Sequence, residues 1–572
     1  MNQHQNMPHR RVRSFLWIFG ALATLALGVN SWAANDLDTP TTLKEDNGNG
    51  DGNTLRGADT FNAKWLGHND LQGRVTYQTT VHTYPDPDGR VIAFAGHFNA
   101  NPAMLNPLTG KLEKNGTSLV DVTDPRKPVY LQHIPADKGG ARMNMLCDGS
   151  VLPHGTARHV YLLRENGAVS HEVWDVTDPV HSTLVSTPVQ GLNVTHRSWW
   201  DCRTGIAYIV GGATQPGGDG WNGNSSPNQH LKIFDLSDPA HPDRIMDFGY
   251  PGQNPGSTFV IPGTENTTKT VPPGVHGPIV VSTLNGNAVA NGRPINRLYM
   301  PYGVGSDGIF QIVDLTKMLP PTTMSGKVYV GAGTGHYVDP LKPTDAELLQ
   351  GQIGVIYMPG VEGGHSSMPY YGIPLTQYAN FTDNNVRDIL GLASEETDNR
   401  CTGSPHLLYL LDITQKIGQG GSTSAEQHPW PISTVTVNDF SERPNFCSRG
   451  TRFGVHSMNE NFNDPYYGKL MVSAWFDAGI RVTDIRDPYH PAEVAFFIAP
   501  VNANTQPSTS TINGQPFTAK DISCDNTYVD DDGLLYCGDR VGSGLDIVQL
   551  TGQAAKIGGV KGNRRNPNPG DN

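Results

Sequence analysis

Four histidines stand in similar local settings, each where a short apolar run begins: His196, His276, His365 and His456. Glycines come one or two residues before the last three, and a glycine lets another backbone approach closely. The chain has only 20 histidines in 572 residues, so four in one kind of setting is a marked pattern. Imidazole is the commonest protein ligand for transition metals at neutral pH. The pattern therefore predicts a metal site, provided that the fold brings the four side chains together.

Polar side chains at the ends of other apolar runs could complete such a site. Arginines could bind an anionic substrate there, although a salt bridge between structural units explains an arginine equally well. The predicted metal ligands are His97, His196, His276, His365, His456 and Asp477. The predicted catalytic residues are Arg197, Arg540 and Glu395, and Glu395 is also an alternative to Asp477 as a metal ligand.

An imidazole-rich set of ligands favours copper or iron, with zinc or manganese as further possibilities, whereas calcium prefers oxygen ligands. Two other roles stay open. The histidines could bond carbonyl groups of neighbouring structural units and so hold the fold together, or they could act as acids and bases without a metal. Rings that point apart, or that are buried against carbonyl groups, would contradict the metal site.

The elements that must position these residues come from a repeat. One phrase recurs seven times: apolar residues, an aspartate, one apolar residue, and then in most copies a threonine or serine, often with Asp-Pro. The aspartates of the seven copies are Asp121, Asp175, Asp235, Asp314, Asp412, Asp484 and Asp546. Repeats of this length indicate one repetitive architecture rather than several unrelated domains. We interpret the aspartates as structural, because an aspartate can bond the local backbone where a strand ends.

Each copy is a β-branched strand stopped by a turn, with two strand-like runs before it and a fourth after it. Four antiparallel strands per repeat are typical of a propeller blade. We therefore predict an all-β chain that folds as a seven-bladed β-propeller with four-stranded antiparallel blades. In such a fold the innermost strand begins at the face where the second strand ends, so the candidate residues above should converge on one mouth of the central channel.

The seventh copy has no fourth strand, because the chain becomes polar after Leu550. We predict that Phe61 to Leu66 supplies it and closes the last blade, since closing the ring removes exposed sheet edges. The propeller then spans residues 58–551.

The recurring phrase resembles the LVIVD repeat of exported bacterial β-propellers. Stretches such as Gly96-His97, residues 106–111 and residues 531–546 resemble that family too. The resemblance implies the propeller fold over nearly the whole mature chain, but no defined activity, since fold does not fix function. Exported propellers of the methanethiol-oxidase and nitrous-oxide-reductase types hold copper in histidine-lined channels; that likeness is architectural only.

The chain ends predict export. Residues 1–33 read as a signal peptide, with arginines before an apolar run and small residues at the predicted cleavage site. Residues 34–57 and 552–572 read as a flexible leader and a flexible tail. No second long apolar run suggests a membrane span, so we expect a periplasmic or secreted protein. The net charge of -13 argues against nucleic acid as a partner.

Six cysteines in an exported chain favour three disulfides. Positions in the repeats suggest the pairs Cys147–Cys202, Cys401–Cys447 and Cys524–Cys537, although six cysteines allow other connectivities.

Two long glycine-rich stretches, residues 213–230 and 330–364, should project from the disc as insertions. Either could cover a channel mouth, and the second could contact a protein partner.

Motifs for dinucleotides, phosphate loops, nucleophile elbows and zinc proteases are absent from the sequence. We therefore expect a metal-dependent enzyme acting on a small-molecule substrate, with oxidoreductase chemistry favoured. A lactonase-like metal-dependent hydrolase and a non-catalytic binding or scaffold propeller are the alternatives.

Overall fold

The protein is described from a computed structural model. The described residues are 58–98, 103–137, 140–213, 218–222, 229–262, 271–282, 289–290, 293–375, 386–398, 401–403, 406–414, 425–437, 446–449, 451–512 and 515–560. The predicted signal peptide and leader lie outside the described residues, as do parts of the stretch 213–230. Within the described part, no helix is long and apolar enough to cross a membrane.

Seven antiparallel sheets are arranged in a ring, as predicted from the repeat, and each is one blade of a β-propeller. Innermost strand first, blade 1 consists of Thr76–Thr83, Val91–His97, Gly116–Asp121 and Val129–Pro135, and blade 2 of Asn144–Asp148, Val160–Asn166, Ser170–Asp175 and Thr183–Gln190. Blade 3 consists of a divided innermost strand (Val194–Thr195 and Trp199–Asp201), then Ile206–Gly212, His230–Asp235 and Asp243–Phe248. Blade 4 consists of Ile279–Ser282, Asn296–Tyr302, Ile309–Asp314 and Gln352–Tyr357, and blade 5 of Ser366–Pro374, Val386–Ala393, Leu408–Asp412 and Trp430–Val435.

The last two blades are completed by the beginning of the described chain. Blade 6 consists of Ser457–Met458, Leu470–Ala474, Ile480–Asp484 and Ala492–Ile498, with Asp59–Phe61 as a fifth, outer strand. Blade 7 consists of Cys524–Val529, Leu534–Asp539 and Leu545–Leu550, with Ala63–Asn69 as its outermost strand. The prediction that an N-terminal strand closes the last blade is confirmed, with bounds that begin and end later than Phe61 to Leu66.

The remaining elements are small. Two-stranded hairpins are formed by Met104–Asn106 with Lys111–Glu113, Val289–Ala290 with Arg293–Pro294, and Ser508–Ile512 with Gln515–Ala519. The α-helices are Leu315–Met318, Asp345–Leu349 and Gly552–Gly558, and the 3₁₀ turns are Leu71–Gly73, Ala425–Gln427 and Phe446–Ser448.

In six of the seven repeats the aspartate is the last residue of the third strand, whereas Asp546 is the second residue of the strand Leu545–Leu550. In blade 3, the Asp235 carboxylate accepts the backbone N–H of Ser237 at 2.9 Å, which is the local turn that the sequence predicted. The same bond, from the N–H two residues on, is made by the aspartates of five further repeats: Asp121, Asp175, Asp314, Asp412 and Asp484.

All three predicted disulfides are present. Cys147–Cys202 joins blades 2 and 3, Cys401–Cys447 ties two loops, and Cys524–Cys537 links the first two strands of blade 7. No free cysteine is found in the described chain. Three disulfides indicate that the protein matures in an oxidising compartment.

The stretch 330–364 differs from its prediction as a projecting insertion or lid. Its residues Gln352–Tyr357 are the outermost strand of blade 4. The part before that strand packs against the outermost strand of blade 3, where the Asp247 N–H donates to the Pro340 carbonyl at 2.9 Å. The predicted tail also differs, because Gly552–Gly558 is a helix that buries Ala554 and Ile557. In both places a few apolar side chains pack against a neighbouring sheet.

Candidate functional site

The four histidines occupy equivalent positions in four consecutive blades. In each of blades 3 to 6, the histidine lies at the beginning of the innermost strand, and its backbone N–H donates to a carbonyl near the end of the second strand. The donor and acceptor pairs are His196–Val210, His276–Pro301, His365–Ala393 and His456–Ala474. Because the backbone position repeats, the propeller geometry directs all four side chains to the same level of the channel.

The four imidazoles pack against one another in a continuous arc, here called the histidine cluster. The ring centroids of His196 and His276 are 3.9 Å apart, those of His276 and His365 3.8 Å, and those of His365 and His456 4.4 Å. The rings therefore point together rather than apart, and none is more than 8% exposed.

Hydrogen bonds to backbone carbonyls orient two of the rings, while the Nδ1 of His196 accepts the backbone N–H of Arg197 at 2.8 Å. The Nδ1–H of His276 donates to the backbone carbonyl of His365 at 3.0 Å, and that of His456 donates to the carbonyl of Asp525. These are the inter-blade carbonyl bonds expected of structural histidines. They occupy Nδ1, however, and so leave the Nε2 lone pair of each ring available. A metal-bound histidine commonly donates its other ring N–H to such a carbonyl.

Several ring nitrogens of the cluster have no hydrogen-bond partner among the described residues. These are both nitrogens of His365 and the Nε2 of His456. A buried polar atom is rarely left unsatisfied, and each one is a reason to look for a missing ligand. Burial holds the pKa of all four imidazoles well below its usual value, so the rings are neutral at pH 7. Neutral imidazole is the form that binds a metal.

Glu395 adds a carboxylate to the cluster. It lies just beyond the second strand of blade 5, with one oxygen 3.3 Å from His365 Nε2 and the other 3.9 Å from His456 Nε2. Ligand atoms of His276, His365 and Glu395 all lie within 4.8 Å of one another. The structure thus brings together two imidazoles and a carboxylate as a candidate metal centre, with two more imidazoles beside it.

Arginines and a second carboxyl group surround Glu395. The guanidinium of Arg452 donates to it at 2.6 Å, and that of Arg540 lies 3.6 Å away. Arg540 also donates to Asp525 at 3.0 Å, and Asp525 lies 3.7 Å from His456 Nε2. Burial raises the pKa of Asp525 to about 6, and the positive charge of Arg540 opposes the shift. Arg540 therefore favours the charged form of Asp525.

Aromatic rings and guanidinium groups cover the cluster. Arg540 stacks 4.5 Å from the ring centroid of Phe98, and Arg452 stacks 5.4 Å from that of Phe476. Phe476 is itself 5.0 Å from the His456 ring. These side chains therefore cover the channel mouth on which the sequence predicted that the candidate residues converge.

His97 lies apart from the cluster, inside the sheet of blade 1. Its Nε2–H donates to the Ser118 hydroxyl at 2.7 Å, and that hydroxyl donates to His133 Nδ1 at 3.1 Å. His133 donates in turn to the Lys114 carbonyl at 2.8 Å. This chain of bonds satisfies His97 as a buried structural residue, and burial lowers its pKa well below the usual value.

Two other predicted residues also take different surroundings. Asp477 donates its backbone N–H to the Arg452 carbonyl, and its carboxylate is close enough to Arg481 to act on the charge of that guanidinium group. Arg197, the residue after His196, forms an ion pair with Glu460 of blade 6. Arg540 and Glu395 lie at the cluster, and Arg197 lies beside it, since its positive charge acts on His276, His365 and His456.

Sequence reasoning missed two residues that extend the arc into blades 7 and 1. Asp525 and Tyr77 each occupy a β-bulge near the beginning of the innermost strand. The Tyr77 ring meets those of His456 and His196 edge-on, at 5.4 and 5.8 Å. The positional rule that singled out the histidines applies to these residues too, and it would have found them had it not been restricted to histidine.

Comparisons with known proteins identify no family. No family model matches the chain, and no curated protein matches it. Among solved structures, Sqt1 from Chaetomium thermophilum is 10% identical, with a TM-score of 0.39, over 85% of this chain and 99% of that one. At this identity and TM-score the similarity supports no conclusion about function, and the assignment of the fold rests on the strand pairing above.

Proposed function

We propose that the histidine cluster holds a transition-metal ion and that the protein is an exported, metal-dependent enzyme acting on a small molecule. The observation that carries the proposal is the meeting of His276, His365 and Glu395, whose ligand atoms lie within 4.8 Å of one another. The seven aspartate phrases suggest that the chain belongs to the LVIVD repeat propellers. This membership is part of the same proposal.

A purely structural role explains the cluster less well. Four neutral rings packed side by side stabilise one another through dispersion. Apolar side chains would supply the same stabilisation. Apolar side chains would also avoid burying ring nitrogens without partners, as happens at His365 and His456. A bound cation would take up the free lone pair of each of these rings and would offset the burial of Glu395.

Two histidines and one carboxylate are the ligand set of many non-haem iron sites, and the same set also holds catalytic zinc. When bound, iron or copper would supply redox chemistry and zinc would supply an activated water. The adjoining imidazoles favour a redox metal, so we propose an oxidoreductase ahead of a lactonase-like hydrolase. In either case the ion pairs with Arg452 and Arg540 hold Glu395 in place.

The test is elemental analysis by plasma mass spectrometry of untagged protein from the periplasm, beside a His276→Ala/His456→Ala variant. We expect about one equivalent of iron, copper, zinc or manganese in the native protein and its loss from the variant. The identity of the metal then selects redox or hydrolytic substrate screens.

A His97→Ala/His133→Ala variant is the matched control, because it also removes two buried imidazoles. It should keep the metal in the fraction that folds. Equal metal content in both variants, or a native protein that neither carries nor takes up metal, would contradict the proposal and favour a binding propeller.

A further inference from the structure

A second site lies in the channel on the far side of the histidine cluster. A chamber of about 480 Å³ opens where the innermost strands of blades 1, 2 and 3 end, and loops after the innermost strands of blades 6 and 7 complete its wall. Its volume falls within the range of roughly 300–1,000 Å³ that is usual for small-molecule sites. The ion pair of Arg197 with Glu460, which is a wall residue, separates this chamber from the cluster.

The chamber wall carries an excess of negative charge. It contains four carboxyl groups and one guanidinium group, from Asp148, Asp201, Glu460, Asp531 and Arg203. Glu460 is neutralised by Arg197, and one oxygen of Asp148 lies 2.9 Å from the Nε2 of His82, which is also a wall residue. The remaining acids still outnumber Arg203, so the chamber attracts a cation and repels an anion.

The wall also contains an unsatisfied acceptor. The side chain of Gln78 lines the chamber and is only 5% exposed. Its amide oxygen accepts no hydrogen bond from any described residue. A buried acceptor without a partner calls for a donor, and a ligand in the chamber is one source of it.

Aromatic rings form another part of the wall. Trp199 and Phe462 both line the chamber, with their rings edge-on and their centroids 5.9 Å apart. Indole is the best side chain for cation–π contact, and the two rings also offer apolar surface to an organic group. A bare metal ion would not use this surface.

We propose that this chamber binds a small organic cation, namely an amine with an apolar body. Its N–H groups donate to the Gln78 oxygen and to the carboxylates of Asp148 and Asp531, and its body contacts Trp199 and Phe462. The site goes beyond the metal-dependent activity proposed above and does not require the metal.

Calorimetric titration of the full chain with benzylamine, benzyl alcohol and benzoate at pH 7 tests the inference. These probes share one ring and differ in charge. We expect benzylamine to bind once per chain and roughly tenfold or more tightly than the alcohol, with benzoate weakest. Affinities should be the same before and after metal removal by a chelator. Equal affinity for alcohol and amine, no binding of the amine at millimolar concentration, or binding that needs the metal would overturn the proposal.

Variants that change the charge of the chamber wall in opposite directions locate the site. Asp148→Asn/Asp531→Asn should weaken benzylamine binding roughly tenfold. Arg203→Gln, at an exposed position of the wall, should strengthen it. The control Asp178→Asn/Asp484→Asn removes two acids that are not part of the wall and should leave the affinity unchanged. If the first variant does not fold, Arg203→Gln decides, because unchanged or weaker binding in it contradicts the proposal.

Discussion

At the scale of single residues, Asp464 is a carboxyl group whose charged form is disfavoured by its surroundings. It accepts the N–H of Tyr466 at 2.7 Å and the amide of Asn459 at 2.9 Å. Burial nevertheless raises its pKa, and the nearby charges of Asp530 and Asp531 add to this shift. The resulting pKa is about 7. In the unfolded chain an aspartate titrates near its usual value of about 3.9.

These pKa values give a direction for stability. Between about pH 4 and 7 the unfolded chain has released this proton while the folded chain keeps it, so the free energy of unfolding falls as pH rises. We expect Asp464→Asn to reduce that fall by about 1–3 kcal/mol between pH 5 and 8. Urea unfolding at several pH values measures it. An unchanged pH profile in the variant would show that the folded protein does not hold this proton.

Glu395 carries the second prediction at this scale. Glu395→Gln keeps the shape of the side chain but removes the charge that faces His365 and the two arginines. We expect the dissociation constant for the metal to rise at least roughly 10- to 100-fold, measured by competition with a chromogenic chelator. Glu172→Gln, beside Arg164 in blade 2, is the control, since it changes a similar ion pair away from the cluster. The same loss of affinity in both variants would mean that Glu395 acts on folding and not on the metal.

At the scale of elements, the turn after the third strand is the unit that the sequence repeats. Asp235→Ala leaves the buried N–H of Ser237 without its acceptor, and we expect a loss of about 1–3 kcal/mol in the free energy of unfolding. Asp484→Ala removes the equivalent aspartate of blade 6, whose partner Arg486 is exposed, so water can replace the bond. Its cost should be smaller. Equal losses in the free energy of unfolding, measured with urea, would contradict the idea that burial of the N–H group determines the size of the loss.

The strands and the disulfides could be predicted because their signals are local. A β-branched run ending in an Asp turn defines a strand wherever it occurs, and cysteines at corresponding places in neighbouring repeats meet once the blades are aligned. The directions of side chains could not be predicted as well, because a shift of one residue in a strand moves each side chain to the other face. His97 therefore lies inside the sheet of blade 1, whereas Glu395, beyond the end of its strand, lies at the cluster.

At the scale of the whole molecule, closure of the propeller ring depends on the first described segment of the chain. The strand Ala63–Asn69 pairs along its whole length with Leu545–Leu550, so that Ala63 lies opposite Leu550 and Asn69 opposite Leu545. Trp65 and Leu66 of this added strand are buried. The preceding strand, Asp59–Phe61, pairs with the outer strand of blade 6. One short segment therefore covers the edges of two blades that are built mainly from the other end of the chain.

Removing this segment should open the ring. A protein that begins at residue 70 would expose the backbone N–H and C=O groups of the strand Leu545–Leu550, and exposed edges pair with other chains. We expect it to lose several kcal/mol of stability and to self-associate in light scattering, whereas a protein that begins at residue 58 should stay as stable as the longer chain. Adding a peptide of residues 58–69 should restore the melting temperature in a concentration-dependent manner, because the peptide binds the folded state. A truncated protein that melted like the control would show that blade 7 is stable with three strands and that closure contributes little.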